Sequence, residues 1–213
     1  MIYIDNHIIH IRNTLIQLRP DRFYLLFHPL ILIIINRGIL NISIFTSGPP
    51  LARISKQPVF ISELLGKNIY HVGEAGGGDA IKMVNNLLLG CNMAALAEAL
   101  TLGVKCGLSV ETMKEVISVS SGRSYALDAK LEKFIMAGQF NGGFAVDLQY
   151  KDLGLALEAS RDEKVPLPMT AAAVQVYEMA RAKGQGREDM SSVVKVWEDL
   201  TGAKIHGEAE KGA

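Results

Sequence analysis

The chain has 213 residues, with Lys+Arg 22 against Asp+Glu 22, so its formal net charge is zero, and 49% of it is hydrophobic. That length can bury a proper core, while neutrality removes the electrostatic drive toward a nucleic-acid backbone or an anionic membrane surface. Two cysteines, Cys91 and Cys106, make no disulfide scaffold, and without a CxxC or Cys/His cluster no metal site is expected. On one helix they would stand about 22 Å apart, too far to bridge. Reduced cysteines fit a cytoplasmic globular protein.

Composition changes along the chain. Up to Phe60 there are 14 isoleucines and 1 alanine; beyond it isoleucine is sparse and alanine abundant. Residues 1–58 form an atypical Ile-rich segment. Its most apolar run, Phe23–Phe45, is interrupted by His28-Pro29 and by Asn36-Arg37-Gly38, so it does not hold the roughly 20 apolar residues of a membrane helix. β-Branched density points to short strands at Leu30–Ile35 and Ile39–Phe45 with a turn at Asn36-Arg37-Gly38, a small hairpin if the segment orders at all. Ser47-Gly48-Pro49-Pro50 reads as a loop. Neither GxGxxG nor GxxxxGK[ST] occurs here.

From Phe60 the helix pattern dominates. Ile61–Leu65 reads as a helix end stopped by Gly66, Asn68–Val72 as a short strand, and Gly73–Gly78 as a turn. Asp79 is placed to cap a long helix running to about Cys106, with Gly107 as its stop. Such a helix spans about 42 Å. Gly90, Ala94, Ala95, Ala97, Ala99 and Gly103 keep its surface thin, so neighbours can approach closely. Ser109 caps a helix ending near Ser118, with Glu111 in its first turn. Further helices are predicted at Tyr125–Ala137, Asp147–Asp162, Thr170–Lys183 and Asp189–Leu200, separated by glycine and proline turns. The fold class is mainly α: a multi-helix domain with one long N-terminal helix, preceded by a residual strand and the apolar segment.

Two stretches can carry chemistry. In Gly73–Asn86, the residues Lys82, Asn85 and Asn86 stand at i, i+3 and i+4, hence on one helix face. Lys82 lies near the positive end of the helix dipole, a setting that eases proton release, and the amides can orient the amine and bond a substrate oxygen. The plainer reading is a capped helix with a solvated polar first turn. The second stretch is Phe144–Asp152, where Lys151 and Asp152 read by default as solvated surface. His71 reads as a locally satisfied histidine, Trp197 and Tyr177 as core, and Arg123 as a weak anion contact.

The string from Leu64 to Leu108 resembles the β-hydroxyacid dehydrogenases, which include 3-hydroxyisobutyrate dehydrogenase and 2-hydroxy-3-oxopropionate reductase. Their GxGxxxKxxNN pattern matches Gly76, Gly78, Lys82, Asn85 and Asn86, and FxxxLxxKDL matches Phe144, Leu148, Lys151, Asp152 and Leu153. The resemblance covers the chain from Phe60 onward. It implies an NAD- or NADP-dependent oxidoreductase of small 3-hydroxy acids or their semialdehydes. Lys82 would be the general acid/base; Asn86, Asn85 and Gly78 would bind substrate; Lys151 and Phe144 would contact the cofactor. The related 6-phosphogluconate dehydrogenases, whose helical C-terminal domain is similar, carry histidine where this chain has Asn85, which argues against a sugar phosphate. The same resemblance implies a homodimer or higher homo-oligomer through the helical domain. It divides the chain into a dinucleotide-domain remnant at 59–78, an all-α dehydrogenase domain at 79–203 and a tail at 204–213. The Gly-rich pyrophosphate turn and the Ser-Gly-Gly element of the family are missing. An alternative follows from that absence, a non-catalytic helical dimerisation module. Neither nucleic acid nor a membrane is an expected partner.

Overall fold

The computed structural model describes the strand segments between positions 3 and 46, and residues 68–73 and 76–207. The loop expected at Ser47–Pro50, the helix end at Ile61–Leu65, the turn at Asn36–Gly38 beyond Asn36, the side chain of His71 and the tail from 208 lie outside the described residues. By its internal contacts the chain divides into two compact units, Met1–Lys82 and Met83–Ala213.

In the first unit, β1 (Tyr3–Asp5), β2 (Ile8–Ile11) and β3 (Thr14–Gln17) pair antiparallel in sequence order. A second sheet has the order β4-β5-β6-β7, with β4 at Tyr24–Phe27, β5 at Ile31–Asn36, β6 at Asn41–Thr46 and β7 at Asn68–His71. β5 and β6 are antiparallel, with Ile33 opposite Ile44. β6 and β7 are parallel, with Ile44 opposite Ile69.

From Gly77 onward the described chain is mainly α, as the sequence pattern predicts. Helix α1 (Gly77–Lys105) starts two residues before Asp79, so Asp79 lies in its first turn instead of capping it. The acidic side chain there still complements the helix dipole. The predicted stop holds. Gly107 has φ +88°, Gly107 N donates to Val104 O and Leu108 N to Gly103 O, the paired bonds of a Schellman ending. Met93, Ala97 and Leu100 of α1 are fully buried. Gly103 lets α2 (Val110–Ser118) approach so closely that an added Cβ would meet the Met113 sulfur. α1 is long and apolar enough by length and composition to cross a membrane; 39% of that window is buried, and Met93, Ala97 and Leu100 on it belong to the hydrophobic core of the bundle.

Ser109 caps α2 as expected, its Oγ accepting from Thr112 N. α3 (Leu127–Met136) occupies the predicted place but is π-wound, with Leu127, Lys130, Leu131, Phe134 and Ile135 on its buried face. α4 (Val146–Asp162) and α5 (Pro168–Ala182) follow; α5 begins at Pro168 because proline suits a first helical position, where no N–H is needed. The last predicted helix divides into a 3₁₀ turn at Met190–Val193, capped by Asp189, and α6 (Val194–Thr201). Tyr177 is fully buried and Trp197 packs against the core, as expected.

Candidate active site

The two motif stretches meet where α4 packs on α1. On α4, Gln149, Asp152, Leu153 and Ala156 are buried, a stripe at i, i+3, i+4 and i+7 that faces inward. Gly90 of α1 receives this stripe: an added Cβ would stand 2.4 Å from Gln149 Nε2 and 3.0 Å from a Leu153 methyl. That missing side chain lets Gln149 reach the α1 backbone and donate to Asn86 O at 2.9 Å. The other end of the amide, Gln149 Oε1, is buried with no hydrogen-bond partner among the described residues. One turn further, Tyr177 of α5 donates its hydroxyl to Gly90 O at 3.1 Å. Burial holds the Tyr177 phenol well above its ordinary range, reinforced by the neighbouring Cys91 and Asp189.

Asn86 is buried and donates from Nδ2 to Asp152 Oδ2 at 2.6 Å. Asn85, exposed beside it, donates to Asn86 Oδ1 at 3.2 Å. Asp152 takes a second contact, this one from a cation, Lys151 Nζ to Oδ1 at 2.9 Å. Its side chain is only 7% exposed while that of Lys151 is 57% exposed, so the pair runs from the interior to the surface. The expectation that Lys151 and Asp152 are both solvated is corrected here: Lys151 is, but Asp152 falls on the inward stripe of α4. The i, i+3, i+4, i+7 spacing was the signal that placed it, and the adjacent opposite charges masked it.

Lys82 is half-buried and stands one helical turn before Asn86, with Gly78 buried one turn before that. The sequence-predicted Lys82, Asn85 and Asn86 share a face of α1 by helix period, and Lys151 is linked to Asn86 through Asp152. Phe144 does not. Its ring is buried in the core of the bundle, because its backbone N–H is tied to Asp189 Oδ2 at 2.7 Å. Arg123, expected as a weak anion contact, is exposed and pairs through Nε with Asp128 at 3.0 Å.

Asp189 is a functional-looking hub that sequence reasoning missed. It is fully buried and pairs with the buried Lys130 at 2.6 Å. Its Oδ1 accepts from Ser191 N and Oγ, and its backbone N–H donates to Phe140 O. Gly143 has φ +72°, and a Cβ there would run into the Asp189 carboxylate, so only glycine fits. These bonds fix the loop that launches α4. On the outer face of that helix, Arg181 stacks on the Tyr150 ring and bonds Asp147 and Glu178. The Tyr150 hydroxyl bonded to Glu178 holds that carboxyl below its usual range, with Arg181 adding to the effect, and raises its own phenol in return. A separate cavity of about 300 Å³, lined by Val104, Glu111, Met136 and His206 among others, lies at the opposite end of α1 from Lys82.

Residues 76–197 match the protein family described as the NAD-binding domain of NADP-dependent 3-hydroxyisobutyrate dehydrogenase. The chain belongs to that family. Among relatives, this dehydrogenase-family chain is 63% identical over 170 residues to 2-(hydroxymethyl)glutarate dehydrogenase of Eubacterium barkeri, covering 80% of this chain and 55% of that protein. It is 37% identical over 171 residues to L-threonate dehydrogenase of Cupriavidus necator, covering 80% and 56%. Of solved structures, 3-hydroxyisobutyrate dehydrogenase from Salmonella typhimurium is similar at TM-score 0.66 and 29% identity, covering 73% of this chain and 54% of that one. The dehydrogenase-family chain spans about half the length of the relatives it matches.

Proposed function

We propose that this chain is part of an NAD(P)-dependent oxidoreductase of small 3-hydroxy acids or their semialdehydes, with Lys82 as general acid/base. The observation that carries the reading is the Asn86–Asp152–Lys151 chain, buried at Asn86 and Asp152 and surfacing at Lys151, which joins the first motif on α1 to the second on α4. Two sequence motifs of one family are 66 positions apart at their nearest bonded residues and meet through a 2.6 Å hydrogen bond.

The described residues fit one end of the dinucleotide. Lys151 presents a half-exposed ammonium steadied by a buried carboxylate, suited to the nicotinamide side, whereas Phe144 is committed to the core. Bound NAD(P)H would supply the hydride. Lys82 would hold the proton delivered to the carbonyl oxygen in the reducing direction and remove it in the oxidising one. Asn86 would bind the substrate oxygen beside that amine, with Asn85 and the close backbone at Gly78 completing the contact surface.

The aligned 170 residues within 213 must begin at or before position 44, which supports extending the family-like portion upstream from 59 to β6. Residues 79–203 would be its helical domain, a reading supported by the run of helices from Gly77 to Thr201. A second reading, a non-catalytic helical dimerisation module, has its own support: Val84, Leu88 and Leu102 form an exposed apolar line along α1 at spacings a second helix would cover.

Calorimetric titration of NADH and NADPH into the 213-residue chain separates the two. Micromolar binding, about −8 kcal/mol, supports the enzyme, and Lys82→Ala should then lower turnover by about 10²–10⁴-fold. A well-folded helical dimer without nucleotide affinity would leave the module.

A further inference from the structure

We propose that Asp152 is a positioning residue that fixes which end of the Asn86 side chain faces the Lys82 side of α1. An asparagine amide is nearly symmetric in shape, so its orientation is decided by its partners. Asn86 has two on the described structure. Asp152 Oδ2, 2.6 Å from Nδ2, belongs to a carboxylate, which accepts and does not donate. Asn85 Nδ2, 3.2 Å from Oδ1, donates from a weaker and exposed position. The short contact to a buried charge is the stronger of the two, so it sets the flip. Gln149 adds a second constraint by holding the Asn86 carbonyl, which fixes the residue's backbone but leaves its side chain free to turn.

Burial makes the arrangement selective. Asp152 is 5% exposed, and Lys151 reaches its other oxygen from outside, leaving Oδ2 for Asn86. With the Nδ2 end anchored, Asn86 offers the remaining lone pair of Oδ1 and one N–H toward a ligand on the Lys82 face. A neutral amide at position 152 can donate as well as accept, so both orientations of Asn86 would become available. Asp152 touches no substrate atom in this scheme; it acts through Asn86.

Side-chain amide exchange by ¹⁵N NMR on the 213-residue chain tests this without any ligand. In the unmodified protein, one Asn86 Nδ2 proton should exchange at least about tenfold more slowly than an exposed asparagine amide. Asp152→Asn should abolish that slowing and shift both protons while far-UV circular dichroism is unchanged. Free-rate exchange of both protons in the unmodified chain, or an unaltered Asn86 signal in Asp152→Asn, overturns the assignment. The enzymatic arm rests on the proposed function. There, Asn86→Ser and Asp152→Asn should each lower kcat/KM, and the double variant should lose no more than the worse single one. Additive losses would overturn action through Asn86. Absence of any turnover in the unmodified chain would refute the proposed function, and the exchange measurement would still decide the role of Asp152.

Discussion

Replacing Gly90 by alanine should destabilise the helical unit, although the same exchange inside an ordinary helix stabilises it. At an unhindered interior position, alanine gains about 0.8–1.0 kcal/mol over glycine. At Gly90 the new Cβ would lie 2.4 Å from Gln149 Nε2 and 3.0 Å from both Gln149 Cδ and Leu153 Cδ2, so α4 must give way. Overpacking of this kind costs about 1–3 kcal/mol. Moving Gln149 also breaks its 2.9 Å bond to Asn86 O in a buried place, about another 1–3 kcal/mol. The net expectation is about 3 kcal/mol of lost stability. Gly154, in the interior of α4, is the internal control, because nothing lies within 4 Å of its added Cβ. Gly154→Ala should gain about 1 kcal/mol. Thermal unfolding should then separate the two variants by about 8–16 °C for a chain of this size, with the unmodified protein between them. A Gly90→Ala protein as stable as the unmodified one would refute the claim that α1 and α4 meet through Gly90.

Lys130→Met should cost about 3 kcal/mol in urea unfolding, the lower end for a broken buried pair, because Asp189 keeps its bonds to Ser191 and Phe144; a loss below about 1 kcal/mol would contradict the geometry. Tyr177 has a folded pKa raised by burial, so it favours the fold below the ordinary phenol range and that contribution is lost as pH rises through the folded value. Ultraviolet titration should show one tyrosine ionising only with unfolding, and Tyr177→Phe should remove that step. Glu178 has a folded pKa lowered chiefly by the Tyr150 hydroxyl, so its contribution is present above the ordinary carboxylate range and lost as pH falls through the folded value. Tyr150→Phe should raise the Glu178 titration midpoint seen by carboxyl ¹³C NMR, and an unmoved midpoint would contradict that bond.

The helices from Gly77 to Thr201 were legible because each is punctuated locally. Ser109 is a cap whose hydroxyl reaches the backbone three residues on, and Gly107 is a stop that adopts φ +88°. The chemistry-bearing face was legible for the same reason: Lys82, Asn85 and Asn86 share a face of α1 by helix period alone. Where local rules ran out, the errors were local too. Asp79 is a good cap residue, but the backbone could enter the helix two positions earlier.

Partnership across the bundle was decided only by tertiary structure. Sequence offered Lys151-Asp152 as two adjacent charges, which in isolation belong in water. Packing α4 against Gly90 turns one of them inward to Asn86 and leaves the other outside, since consecutive helical residues point about 100° apart. Likewise Phe144 belongs to a motif, yet its ring is drawn into the core by the Asp189 hub, 45 positions away. Periodicity and capping act within a few residues, so sequence can determine each helix and its polar face. Which buried carboxylate meets which amide depends on contacts between residues far apart in the chain, and those exist only once the helices have packed.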